Sequence, residues 1–187
     1  MTTQTTDEME LAAEILTLAT EMTFASIRPD GTPHASTVSF ASSNLTVYFA
    51  VAIDSQKAFN IQHCNRVAYT ANTRYRSWHE IRGLAVDAIA QLVTGVDELS
   101  VVSAMLRQKY PEFCSIVDNP AQLPWPGMLF IRCDPTDIVM LDYTQGFGHT
   151  VYFQTELASD VATSHSPSGR GEIRIAERGP GGRKRTW

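Results

Sequence analysis

The chain has 187 residues, 43% of them hydrophobic, and a formal net charge of −5 at pH 7. That is enough for one well-packed domain with material left over, and the acidic balance argues against a general nucleic-acid binder. From His165 onward six basic residues (Arg170, Arg174, Arg178, Arg183, Lys184, Arg185) meet only Glu172 and Glu177, a net of +4, so the preceding 164 residues carry −9.

Residues 1–5 are polar. Thr5 and Glu8 then have capping-box spacing, and Met9, Ala12, Ile15, Leu16, Ala19 and Met22 recur at helical period, which predicts an amphipathic helix over about 6–21. Thr23–Arg28 and the run from Pro33 read as strands. Between them Pro29-Asp30-Gly31-Thr32 is a hairpin signal, because Pro presets φ and Gly takes the positive-φ corner. Ser42-Ser43-Asn44 gives a second short turn before Leu45–Ala52, so the first three strands read as an antiparallel meander. A short turn at Asp54-Ser55 opens a helix, and Val67–Ala71 is a fourth strand.

The loop Asn72–Arg76 leads into Trp78 and a long, mostly apolar run from Ile81 to Val93. Leu99, Val102, Met105, Leu106 and Tyr110 return to helical spacing over 97–110, with Asp97 as N-cap and Pro111 as the stop. Pro120–Pro126 is a rigid, proline-rich loop carrying Trp125. Met128–Cys133 and Ile138–Tyr143 read as a strand pair turning at Asp134-Pro135-Thr136-Asp137, and Val151–Phe153 as a last short strand. From about Ser159 the chain becomes rich in Ser, Gly, Pro and Arg without periodicity. The predicted class is therefore mainly β with flanking helices: an antiparallel barrel, closed or half closed, in residues 1–158, followed by a flexible tail in 159–187.

Several chemistries lack their residues. There is no Gly-rich phosphate loop of the common kinds and no nucleophile elbow. His79-Glu80 begins like a zinc-protease motif, but Gly83 stands where the second His belongs. Cys64, Cys114 and Cys133 are odd in number and scattered, which fits free thiols in a reducing compartment rather than a disulfide framework or zinc site. No apolar run approaches the ~20 residues that cross a bilayer. The N-terminus shows no secretory pattern, so the expected location is cytoplasmic.

The positive signal lies in Pro33–Arg66. Ser55 and Lys57 fall in the first turn of a helix, where free N–H groups, the helix dipole and an ammonium form a small anion site, and a phosphate is its natural occupant. Asp54 complicates this, since a carboxylate capping the helix would fill the anion position itself. Just upstream, Ser36, Thr37 and Ser39 put hydroxyls on both faces of a strand, where a structural strand would alternate cleanly. A bound polar heterocycle would partner the inward ones. Trp78 is either a core plug or a ligand contact; Arg82 is a surface arginine or a donor to an anion or carbonyl. Gly146-Phe147-Gly148-His149 is an ordinary turn or a place of close backbone approach to a flat ligand.

Taken together, Asp30-Gly31-Thr32-Pro33-His34, Asp54–Ile61 followed by Asn65-Arg66-Val67-Ala68, Trp78–Val93 with Ile81-Arg82-Gly83-Leu84, and Gly146–His149 resemble the flavin-binding split-barrel family related to pyridoxamine 5′-phosphate oxidase. The resemblance spans roughly residues 10–153. It implies a Greek-key split barrel that is a homodimer, with two FMN molecules at the subunit interface. Ser55 and Lys57 would meet the FMN phosphate, and Ser36, Thr37, Val38 and Ser39 would line the isoalloxazine ring. Trp78 and Arg82 would lie near the ring or ribityl chain, with Phe147 and His149 reaching it from the partner subunit.

Two departures qualify this. Asp87 stands where the family often has Gly, and the C-terminus lacks the Arg/His substrate motif of members that oxidise pyridoxine phosphate. The expectation is an FMN-dependent oxidoreductase acting on a small molecule, taking electrons from a reduced nicotinamide, and not a true pyridoxamine-phosphate oxidase. Alternatives are the same fold holding a deazaflavin or haem, and a non-catalytic flavin-binding sensor acting through its interface and basic tail.

Overall fold

The structure is a computed structural model that describes residues 3–117, Asn119 and residues 121–155. The tail expected from Ser159 lies outside the described residues.

Helix α1 (Thr3–Leu18) begins before Thr5, so the Thr5/Glu8 pair is not its capping box. Ala12, Ile15 and Leu16 bury its apolar stripe, as their spacing demands, and Ala19 is buried just beyond its end. Strands β1 (Met22–Ile27) and β2 (Pro33–Val38) form the expected hairpin. Gly31 takes φ +84° at its corner, and the Asp30 carboxylate accepts from the Thr32 amide (2.9 Å) and hydroxyl (2.7 Å). Those two hydrogen bonds hold the Asp30 carboxyl below the usual carboxylate range.

The rest of the sheet is β3 (Ala41–Ser43), β4 (Thr46–Ala52), β5 (Arg66–Asn72), β6 (Arg82–Leu92), β7 (Met128–Asp142) and β8 (Thr150–Gln154). Its order is β2-β1-β5-β6-β7-β4-β3, all neighbours antiparallel, with β8 also on β7. The expected three-strand meander is therefore corrected. β4 pairs with β3 and β7 and lies at the far end of the order from β2. Yet β2 and β3, the two ends of that order, are joined only by Ser39 and Phe40. Three peptide units reach about 10–11 Å, so the sheet must curl until its ends meet. The result is a curled, mostly antiparallel half-barrel, as expected of a split barrel.

β7 corrects a second reading. Asp134–Asp137 do not turn; they lie inside one 15-residue strand. Asp87 pairs with Asp137 and Ala88 with Pro135, so Thr136 is bulged out and Pro135, which has no N–H, sits where the ladder is already interrupted. Helix α2 (Gln56–His63) follows β4. Helix α3 (Val96–Lys109) is capped by Gly95 rather than Asp97, which falls in its first turn, and ends at Tyr110 before Pro111 as expected; a short α4 (Phe113–Ile116) follows.

Two cores result. The barrel interior packs Phe24 on Phe49 (5.0 Å between centroids) with Tyr69, Leu84, Val86, Ile138 and Met140, closed at one end by α1. The second lies under α3, where Val102 and Leu106 meet Tyr48, Phe130 and the fully buried Trp125. β4 thus contributes side chains to both cores, which is why it reads as a nearly unbroken apolar run. β1, β5 and β6 instead alternate between buried and more exposed positions along most of their length, with one face against the barrel core.

Candidate functional site

The first turn of α2 settles the question posed by Asp54. The cap is Ser55, whose backbone is extended (φ −74°, ψ 151°) and whose Oγ accepts from the Ala58 amide at 3.2 Å. Asp54 lies outside the helix and is exposed. Accepting that bond leaves the Ser55 hydroxyl proton free to donate. The N–H groups of Gln56 and Lys57 have no intrahelical partner, as in the first turn of any helix. Lys57 is half-buried and, among the described residues, makes no ion pair within 4.0 Å. Positive potential thus collects there without a counter-charge in contact.

What holds α2 in place was not visible in its sequence pattern. Asn60 is fully buried, donates from Nδ2 to the Ser26 hydroxyl (3.0 Å) and accepts from Gln56 Nε2 (2.8 Å). Ser26, on β1, is the register partner of His34 on β2. The start of α2 is therefore tied through one buried amide to β1, the strand that pairs with β2.

Along β2 the hydroxyls divide as their spacing predicts. Ser36 is half-buried, and its Oγ has no hydrogen-bond partner among the described residues, as is true of His34 Nδ1. Thr37 is exposed on the opposite face. Val38 is a core side chain and can offer a ligand only its backbone; Ser39 is exposed just beyond the strand. The link through Ser39 to β3, and the β3–β4 hairpin, bring this end of β2 round toward β4, which runs directly into α2.

A second group forms at one end of β6 and β7. Trp78, in a 3₁₀ turn (Trp78–Glu80), packs edge-on to Phe147 (5.3 Å, 89°) and Tyr143 (6.1 Å, 88°) and stacks on His79. It is 48% exposed and Phe147 80%, so Trp78 is not a core plug. Arg82 Nε lies 3.5 Å from the buried carboxylate of Asp142, which also accepts from the Thr144 amide and hydroxyl. Gly146 (φ +128°) and Gly148 (φ +76°) fold the loop, and the His149 carbonyl accepts from the Asp142 amide while its side chain is exposed.

The structure places Ser39 on the link that leads through β3 and β4 into α2, which Ser55 caps, and gathers Trp78, Arg82 and Phe147 at one end of β6 and β7, several strands from β2. Thr37, Thr23, Thr70 and Ala85 are successive cross-strand partners. Three strand spacings, about 14 Å, therefore separate β2 from β6 along the sheet. One further concavity of ≈ 450 Å³ opens on the sheet, lined by Ala25, Ala68, Ile89, Arg66, Asp87 and Asp137 among others. None of the expected site residues lines it.

These features define a class: a split β-barrel with flanking helices. A model of the pyridoxamine 5′-phosphate oxidase family matches residues 9–142, and the chain belongs to that family. No curated protein matches the chain. Among solved structures it is similar to the conserved hypothetical protein Rv2991 of Mycobacterium tuberculosis (21% identity, 74% of this chain and 86% of that one, TM-score 0.63). It is also similar to a heme binding protein of Mycobacterium smegmatis (16% identity, 76% of this chain and 57% of that one, TM-score 0.63). HutZ, the heme storage protein of Vibrio cholerae, shares 18% identity over 65% of this chain and 85% of its own, with a TM-score of 0.54. At these identities the likeness shows the fold. No described helix is long and apolar enough to cross a membrane.

Proposed function

We propose that the protein binds FMN as a homodimer and works as a flavin-dependent oxidoreductase on a small molecule, with a reduced nicotinamide as electron donor. The observation that carries this is the α2 start, where Ser55 rather than Asp54 is the cap and Lys57 has no ion-pair partner among the described residues. Such a position suits a phosphate. The unpartnered Ser36 hydroxyl supports the next element of the same ligand, since a buried polar atom without a partner costs free energy that a bound heterocycle would offset.

In this reading Ser55 and Lys57 hold the phosphate, and Ser36 to Ser39 run beside the ring, with Val38 offering backbone only. The flavin supplies hydride and single-electron transfer, so no side chain need act as acid or base. Trp78 and Phe147 offer flat apolar surface, and Arg82 a cation whose charge is shared with Asp142. Because these lie strands away from Ser39 in one chain, a second copy is the economical way to complete the pocket, with His149 the one candidate proton donor beside it.

Haem is the second reading, favoured by the likeness to the M. smegmatis and V. cholerae proteins. The absorption spectrum of the purified protein separates them. Twin flavin bands support the proposal; a Soret band, a single deazaflavin band, or no uptake of added FMN in an equilibrium titration overturns it.

A further inference from the structure

Helix α3 ends where Pro111 requires it to. A residue before proline is steered out of the helical region, and Tyr110 stands at φ −133°, ψ 81°. Its amide still donates to the Leu106 carbonyl at 2.8 Å, and its ring packs on Phe113 (5.5 Å between centroids). The phenol hydroxyl is thereby delivered to the link between β2 and β3, seventy residues earlier in the chain.

That link needs a partner. Phe40 is fully buried, and its N–H and C=O fall between the last paired residue of β2, Val38, and the first of β3, Ala41. Buried backbone groups outside a ladder must be satisfied elsewhere. The Tyr110 hydroxyl serves both: it accepts from the Phe40 amide (3.2 Å) and donates toward the Phe40 carbonyl (2.9 Å). It also faces the Thr20 carbonyl, in the link between α1 and β1. A phenol has one proton, so the two carbonyls share it. Burial holds this hydroxyl above its ordinary pKa, which keeps it a donor. The adjacent Lys109 grips the same link, its ammonium 4.2 Å over the Phe40 ring while it donates to the Leu16 carbonyl at 3.3 Å.

The amide that Tyr110 holds belongs to the Ser39–Phe40 peptide, which is planar and trans. Fixing its N–H therefore also fixes the Ser39 carbonyl, which points the opposite way. Resting on the cofactor reading above, we propose that Tyr110 is a positioning residue for the bound flavin, acting through the Ser39–Phe40 peptide that it holds at the end of β2. The last turn of α3 then belongs to the ligand site without touching the ligand.

The test compares wild type, Tyr110→Phe and Ile138→Val in the full chain, by FMN fluorescence titration, amide exchange followed by NMR, and thermal unfolding. Tyr110→Phe removes one oxygen and keeps the ring. Ile138→Val shortens a buried barrel side chain and controls for lost stability alone. Tyr110→Phe should speed exchange of the Phe40 amide about tenfold relative to the amides of β6 and raise the FMN Kd about 3- to 10-fold. Ile138→Val should lower Tm and change neither. A wild type that takes up no FMN overturns the cofactor reading and this proposal with it. Faster Phe40 exchange with an unchanged Kd leaves the cofactor reading standing and overturns the positioning role, and unchanged exchange overturns the clamp itself. A Kd that rises equally in Ile138→Val assigns the loss to stability and overturns the role as well. Should Tyr110→Phe not fold, Lys109→Met replaces it, with faster Phe40 exchange and weaker FMN binding expected and an unchanged Kd refuting the role.

Discussion

Replacing Asn60 with leucine tests the claim that one buried amide positions the α2 start. The two side chains are close in size, so little cavity or overpacking is expected, and the effect should be polar. The change removes the bonds to Ser26 Oγ (3.0 Å) and from Gln56 Nε2 (2.8 Å). Gln56 is exposed and returns to water at little cost, but Ser26 is only 2% exposed and is left without its partner. An orphaned buried hydroxyl costs about 1–3 kcal/mol. For a domain of this size that lowers Tm by roughly 2–12 °C. The decisive assay is a double-mutant cycle by thermal and urea unfolding. In the Asn60→Leu background, Ser26→Ala removes the orphan and should recover most of the loss, although the same change in wild type destabilises by stranding the Asn60 amide. If Asn60→Leu is neutral, or if the two substitutions simply add, the buried link is not what fixes α2.

Lys57→Ala should weaken FMN by about 1.5–3 kcal/mol, roughly 10- to 150-fold in Kd by fluorescence titration, and an unchanged Kd removes Lys57 from the site. Burial lowers the Lys109 pKa from 10.5 to about 8, against the opposing pull of the Phe40 ring (4.2 Å) and the Leu16 carbonyl. A lysine lowered on folding binds fewer protons in the folded state, so wild type should gain stability on Lys109→Met as pH rises from about 8 toward 10.5. A gap that stays flat across that range refutes this. Burial also pushes the Cys133 thiol well up, while Cys114 is exposed and Cys64 half-buried. A thiol reagent should therefore label two sites in the native protein and the third only on unfolding.

Local chemistry wrote its part of the fold openly. Pro29-Asp30-Gly31 marked the first hairpin, the run from Ile81 to Val93 marked β6, and Pro111 marked the end of α3. The errors lie where pairing is not local. Asp134-Pro135-Thr136-Asp137 has the composition of a turn, and only the register against β6 shows it to be a bulge inside one strand. Ser42-Ser43-Asn44 leads into a real turn, with Asn44 at φ 51°, but nothing in that stretch says that β4 pairs with β7, some eighty residues on. The site divides the same way. The start of α2, where Ser55 and Lys57 stand, was legible because a helix start is a local object. Asn60 was not, since its partner lies 34 residues away on β1. Asp87 stood out in the sequence as an unexplained acid, and its setting appears only when Arg66 and Asp137 arrive from neighbouring strands.

The 15-residue β7 pairs with β4 along its first half, β8 along its second and β6 along nearly all of it. It is also among the last described strands to leave the ribosome. While the chain is being made, β1, β2, β5 and β6 can assemble by two hairpins and the β1–β5 pairing, but β3 and β4 have no strand partner among them until residues 128–142 emerge. The growing chain must therefore carry the apolar β4 without its main partner while the residues between Ala52 and Met128 are made, a period of several seconds at ~5–20 residues per second. Once β7 docks, its central amides lie between two ladders and should exchange with solvent only through global opening.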